Sequence, residues 1–201
     1  MIGRGRSVAA AMALACLLVI CAQPSAADPL HKFGGDGTWR HEDSGWLFPK
    51  QVGGFARLDA PYTIDGNSDV GARYEQVANG VHTAAAVSVC AVDSFAQEAD
   101  FERAKAAILR DVPVGASLRL ASEGPFSVPA EPAMQGMLAT YLLTTPAGES
   151  ELRLYFVAAS GWAVAIKTTA SDAASTAMLE TFVRDQSWQR LGIPGNHGVG
   201  S

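Results

Sequence analysis

Cysteine is the scarcest chemistry in this 201-residue chain: there are three, and two of them, Cys16 and Cys21, lie in an apolar N-terminal run. Cys90 is the single thiol of everything that follows, so no intramolecular disulfide can form there. Exported proteins rely on disulfides mainly where the core is small, and a chain of this length has no such need. Lysine is nearly as rare, with four in all, and no Lys/Arg cluster occurs anywhere. Nucleic-acid binding requires grouped basic residues to neutralise phosphates, and docking on an anionic membrane surface makes the same demand. Both classes of partner are excluded. Also missing are a G-x-S-x-G elbow, a Walker or Rossmann glycine pattern and an H-E-x-x-H pair. No cofactor and no metal are therefore expected.

What is present begins with a leader. Arg4 and Arg6 stand in the first six residues without an acid, Val8 to Ala22 is almost wholly apolar, and small residues at Ser25, Ala26 and Ala27 precede Asp28. A basic start, an apolar core of about 7–15 residues and a small-x-small site describe a secretory signal peptide. The run is too short for a spanning helix, which needs roughly 20 apolar residues. Bulky Ile20 before Cys21 makes a poor lipobox, which disfavours a lipoprotein. The expectation is cleavage after Ala27 and a periplasmic or extracellular product with no transmembrane segment. It would have 174 residues, 13 basic against 20 acidic side chains, and a net charge of −7.

Residues 28–45 are rich in Gly and charge, show neither period 2 nor period 3.6, and are read as a flexible lead. One domain is expected over 46–192, with a flexible tail over 193–201. Strands are expected at Phe55–Ile64, Val70–Ala78 and Val81–Val92, the last two joined by Asn79-Gly80, a strong hairpin signal. The later half of the third strand is apolar on both faces, which suits a central strand covered on two sides. Asp93 and Ser94 are good caps for a helix in which Phe101, Ala104 and Ile108 form one stripe, with acids Glu98, Asp100 and Glu102 at its positive end. Pro113, Pro125, Pro129 and Pro132 mark 113–134 as a long irregular connection, with at most a short strand at Ser117–Leu120. Strands then resume at Met137–Thr145, Glu151–Ala159 and Trp162–Thr169. A second helix opens at Ser171 or Asp172, buries Met178, Leu179, Phe182 and Val183, and extends as far as Leu191. The order β-β-β-α, connector, β-β-β-α indicates an α+β fold, an antiparallel sheet with helices packed on it. Three identities in a register of 81 (Tyr74 with Tyr155, Gly80 with Gly161, Phe101 with Phe182) are too few to carry an internal duplication.

The run Trp46-Leu47-Phe48-Pro49-Lys50-Gln51-Val52-Gly53-Gly54-Phe55-Ala56-Arg57, followed by strands carrying Asp69-Val70 and Tyr74 and then Ala/Val, resembles a group of uncharacterised exported bacterial proteins. The element order is similar to the PsbP/Mog1-like fold. That resemblance implies a fold that hosts binding and assembly factors, and it supplies no site.

Among the residues that could carry chemistry, Asp65-Gly66-Asn67-Ser68-Asp69-Val70-Gly71 places oxygens like the start of a calcium loop. Val70 stands where Gly is needed and Gln76 where Glu is needed, so a plain turn is the reading. His31, Asp36, His41, Glu42 and Asp43 lie in the Gly-rich lead, with nothing evident to fix a metal geometry. Cys90 and His82 are eight residues apart on one strand, about 26 Å at ~3.3 Å per residue, too far for a nucleophile and its base. An inert thiol is expected. Trp46, Phe48, Phe55 and Tyr62 are the candidate binding residues, as the lining of a groove or the apolar edge of a core. The functional expectation is a non-catalytic exported protein that binds an envelope protein or a small ligand. The alternative is a hydrolase or thiol enzyme whose site, drawn from His82, Arg73, Arg153, Cys90 or a carboxylate, assembles only in the fold.

Overall fold

The computed structural model describes residues 29–64, 69–78, 81–92, 97–129 and 131–191. The leader, the 65–68 turn, Asn79-Gly80, the caps Asp93 and Ser94, and the 193–201 tail lie outside the described residues. Twelve strands and two helices follow in chain order: β1 (Leu30–Phe33), β2 (Thr38–His41), β3 (Leu47–Phe48), β4 (Gln51–Val52), β5 (Phe55–Arg57), β6 (Tyr62–Thr63), β7 (Val70–Ala78), β8 (Val81–Ala91), α1 (Gln97–Arg110), β9 (Ser117–Val128), β10 (Glu131–Thr145), β11 (Gly148–Ala159), β12 (Trp162–Ala170) and α2 (Ala173–Arg184). The main sheet runs β4-β5-β7-β8-β12-β11-β10-β9, with β6 added beside β7, and the strand pairs are antiparallel. This is an α+β protein built on an antiparallel sheet.

Side-chain alternation on the central strands feeds two cores. Ala85, Val87 and Val89 of β8, with Val164 and Ile166 of β12, point to a first face, where α2 brings Leu179, Phe182 and Val183. The Phe182 ring sits 4.9 Å from Phe55 and 5.1 Å from Tyr74, centroid to centroid. Leu152, Leu154 and Phe156 of β11 point the other way, toward Phe101 and Ile108 of α1. Phe101 and Phe182 thus lie on opposite faces. A two-fold relating the antiparallel halves of one sheet would keep them on the same face, so the register of 81 reflects no symmetry. The Ser160-Gly161 turn closes β11 to β12 with φ of 54° and 81°. A tight two-residue hairpin demands this left-handed geometry, and glycine meets it without strain.

Four sequence expectations change, the first being the single strand expected at Phe55–Ile64, which is two short strands, β5 and β6, each paired with β7. The flexible lead is instead a second, three-stranded sheet, β1-β2-β3. His41, Ser44, Trp46 and Phe48 in and after it have no exposed surface. Short strands with Gly turns show no legible period, yet Trp46 stacks edge-on against Trp188 at 5.3 Å. Arg57 donates to the carbonyls of Gly37 and Phe48, tying this meander to the main sheet. The irregular 113–134 connection is largely strand: β9 pairs with β10 along most of its length. Proline is tolerated on an edge strand, where its missing N–H faces solvent. Pro125 occupies such a position, and the register shift between Glu131 and Gln135 absorbs Pro132. The second helix does open at Asp172, whose Oδ1 accepts from Ser175 N at 2.7 Å, but it ends at Arg184. The chain then folds back through a 3-10 turn at Trp188–Arg190, with the Trp188 indole donating to Val183 O at 2.7 Å.

The meander joins α2 on the first face. Among the described residues, α1 is the helix that covers the second face. One helix cannot roof a broad sheet, and part of that face stays open.

Candidate functional site

The opening lies between α1 and the middle of the sheet. Phe101 and Ile108 anchor the helix, while Asp100, Ala104, Ala107 and Asp111 face along its flank at the i, i+4, i+7, i+11 spacing of one helical face. Beneath that flank β8 presents Ala86, Ser88 and Cys90, and β12 presents Ala165 and Lys167. Such small side chains cannot fill the space under a helix held up by Phe101. A cleft of about 410 Å³ remains, floored further in by Leu154 and Phe156. Its outer wall is Tyr62 and Ile64. They close over Gly71, where a Cβ would stand 3.1 Å from the Tyr62 ring and 3.2 Å from Ile64 Cδ1. Glycine at this point lets the wall approach the sheet.

Charge is distributed unevenly along the cleft. At the end nearest the start of α1 stand Asp69, Asp100 and Arg103; at the other stand Arg110, Asp111 and Lys167. Asp100 is 4% exposed. Its Oδ1 lies 2.8 Å from the guanidinium of Arg103, itself 71% exposed, and its Oδ2 is fully enclosed, with no hydrogen-bond partner among the described residues. Asp69 is half-buried and accepts from Ala91 N at 3.2 Å. Cys90 lies between these groups; burial first, then the charges of Asp69 and Asp100, push its thiol up to about 11. At the far end Lys167 Nζ and Asp111 Oδ2 are 4.0 Å apart.

Of the four aromatic residues singled out in the sequence, the structure brings one to this site. Tyr62 is 44% exposed and walls the cleft, whereas Trp46, Phe48 and Phe55 have no exposed surface and pack the first core. A side chain without solvent-facing surface cannot line an open groove, so those three belong to the core. The residues proposed for an assembled catalytic site pair elsewhere. His82 Nδ1 meets Glu75 at 2.6 Å, Arg73 meets Asp59 at 3.2 Å, and Arg153 meets Glu151 at 2.6 Å and Glu180 at 2.8 Å. The polar contact of Cys90 is with Ala163 O at 4.0 Å. In the N-terminal meander His31 pairs with Glu42. No group of three or more His, Cys, Asp or Glu side chains placed to hold a metal occurs among the described residues.

Asp69 figures in the sequence only within a calcium-loop-like stretch that reads as a plain turn, and Asp100 does not stand out there as a binding residue. Asp100 reads there as one of three acids suited to a helix start, but unlike Glu98 and Glu102 it sits one position before Phe101 and turns inward. The signal that could have found it is the small-residue face of α1 beginning at Asp100, opposite a strand of Ala and Ser.

No protein-family model matches the sequence, and no curated protein does. Among solved structures the chain is similar to cyanobacterial PsbP (CyanoP) from Synechocystis sp. PCC 6803, solved in solution. The TM-score is 0.47 at 10% identity, covering 81% of this chain and 94% of that one. At that level of likeness it assigns no role to any residue here.

Proposed function

We propose that this chain is an exported, non-catalytic binding protein of the periplasm or cell exterior, and that it takes a small ligand in the cleft beneath α1. The observation that carries the reading is the cleft itself. Its 410 Å³ falls within the roughly 300–1,000 Å³ typical of ligand pockets, which are mainly apolar with a few placed polar groups. The floor is Ala, Leu and Phe, and the polar groups gather at the two ends. Catalysis by Cys90 would require a thiolate and a nearby base. Its thiol is instead held protonated, and His82 is engaged with Glu75 further along the strand. Export rests on the leader pattern. Among the described residues no helix is long and apolar enough to cross a membrane.

The test is native mass spectrometry on protein expressed with its leader and recovered from the periplasm. The expected result is a chain beginning at Asp28 that carries a small-molecule adduct, with the adduct lost in Ala165→Leu, which fills the floor. An unprocessed chain in the cytosol would overturn export. Adducts indifferent to Ala165→Leu would overturn the cleft as the binding site.

A further inference from the structure

We infer that the cleft takes an uncharged molecule with an apolar body and one hydroxyl, an alcohol as a class, laid across the strands with its hydroxyl at Tyr62 and Ser88. This rests on the cleft being a ligand site and goes on to say what it selects. Directly opposed residues of neighbouring strands share a face of the sheet. Tyr62 opposes Gly71, Gly71 opposes Ser88, Ser88 opposes Ala165, and Ala165 opposes Phe156. One line across five strands therefore runs from a phenol to a phenyl ring over three small residues. Neighbouring strands lie about 4.8 Å apart, which puts roughly 14 Å between Gly71 and Phe156 along this line. At the outer end the tip of the Tyr62 phenol sits over Gly71, where a Cβ would stand 3.1 Å from Cζ and 3.2 Å from the hydroxyl oxygen. Ser88 is the next residue along the line and is half-buried. Both side chains line the cleft, and among the described residues neither hydroxyl has a hydrogen-bond partner. Each can donate and accept, which matches a ligand hydroxyl that does both. Beyond them Ala165, Phe156 and Leu154 offer apolar surface for the body of the molecule.

Charge on the cleft lining is balanced: Asp69, Asp100 and Asp111 stand against Arg103, Arg110 and Lys167. Asp100 is met by Arg103 at 2.8 Å, and its other oxygen is enclosed, out of a ligand's reach. Asp69 accepts the Ala91 N–H, Lys167 and Asp111 lie 4.0 Å apart, and Arg110 is exposed. An ion entering such a cleft loses hydration that no free partner replaces. An uncharged molecule does not meet that cost.

The experiment compares 1-octanol, octylamine and octanoate at neutral pH, each below micelle-forming concentration, on the full-length mature protein. Binding is followed by NMR through the methyl groups of Ala86, Ala104 and Ala165. Octanol is expected to bind roughly 10-fold or more tightly than either ion. Ser88→Ala and Tyr62→Phe each remove one hydroxyl and should weaken octanol roughly 2- to 12-fold. Unchanged octanol affinity in both variants would overturn the placement of the ligand hydroxyl. Binding of either ion as tight as that of octanol would overturn the uncharged class while leaving the cleft a ligand site. If no probe shifts these methyl groups, or if the shifts at Ala86 and Ala104 survive Ala165→Leu, the ligand-site reading falls as well. The ranking on the unmutated protein decides the class even if a variant fails to fold.

Discussion

Cys90 offers the sharpest measurement of the electrostatics in the cleft. Its thiol is raised from an ordinary value of 9.0 to about 11, by burial first and then by Asp69 and Asp100. A shift of about two pH units lowers the thiolate population at neutral pH by about 100-fold. The thiolate that does form is intrinsically more nucleophilic, by roughly 6- to 10-fold for a Brønsted slope of about 0.4–0.5. Reaction with a small disulfide such as dithiodipyridine at pH 7 should therefore run roughly 10- to 16-fold slower than with free cysteine, before any steric hindrance. The logarithm of the rate should climb with unit slope through pH 10 without levelling, whereas a free thiol levels near its own pKa. Asp100→Asn removes one of the two raising charges and should move the levelling point down. A plateau below pH 9, or a neutral-pH rate equal to that of free cysteine, would show an activated thiol. It would refute both the electrostatic account and the non-catalytic reading built on it.

Three further outcomes follow from the packing. Phe182→Ala removes a ring with no exposed surface that packs on Phe55 and Tyr74. It should cost about 3–5 kcal/mol, or roughly 6–20 °C in Tm for a domain of this size, read by calorimetry. Gly136→Ala would drive a Cβ into the carbonyl oxygen of Phe156 and to 2.8 Å from Val157 Cγ2. The expected loss is about 1–3 kcal/mol or more in urea unfolding. The Ser175 N–H holds the Asp172 carboxyl below its ordinary value of 3.8. Its folded pKa is the lower one, so its stabilisation is present above that ordinary value and lost as pH falls through the folded value. The urea midpoint of Asp172→Ala should accordingly lie below that of the parent at pH 6 and converge on it as the pH is lowered past 3.8.

How much of this was legible beforehand depended on the range of the interactions involved. Strands β7, β8, β11 and β12, the α1 stripe of Phe101, Ala104 and Ile108, and the Asp172 cap are local patterns, and the chain carries them openly. The meander at 30–48 was not legible, because its strands are two to four residues long and their burial depends on Trp188, some 140 positions away in sequence. Strand β9 was obscured by Pro125, a residue that argues against a central strand but is compatible with an edge. Composition could not say which side of the sheet Trp46, Phe48 and Phe55 would occupy.

Composition and spacing within a few residues set the α+β class, the antiparallel hairpin pairing of β7 with β8, β10 with β11 and β11 with β12, and the place of Cys90 as the one thiol after the apolar N-terminal run. Long-range packing placed the meander and α2 on one face and left α1, among the described residues, as the helix on the other. It also decided that Asp69, Asp100 and Cys90 converge at one end of a cleft there. Those residues come from β8, from the segment before β7 and from a helix, and pairing across the sheet is what sets their distances. Burial and electrostatic environment arise from that convergence, and no local pattern encodes them.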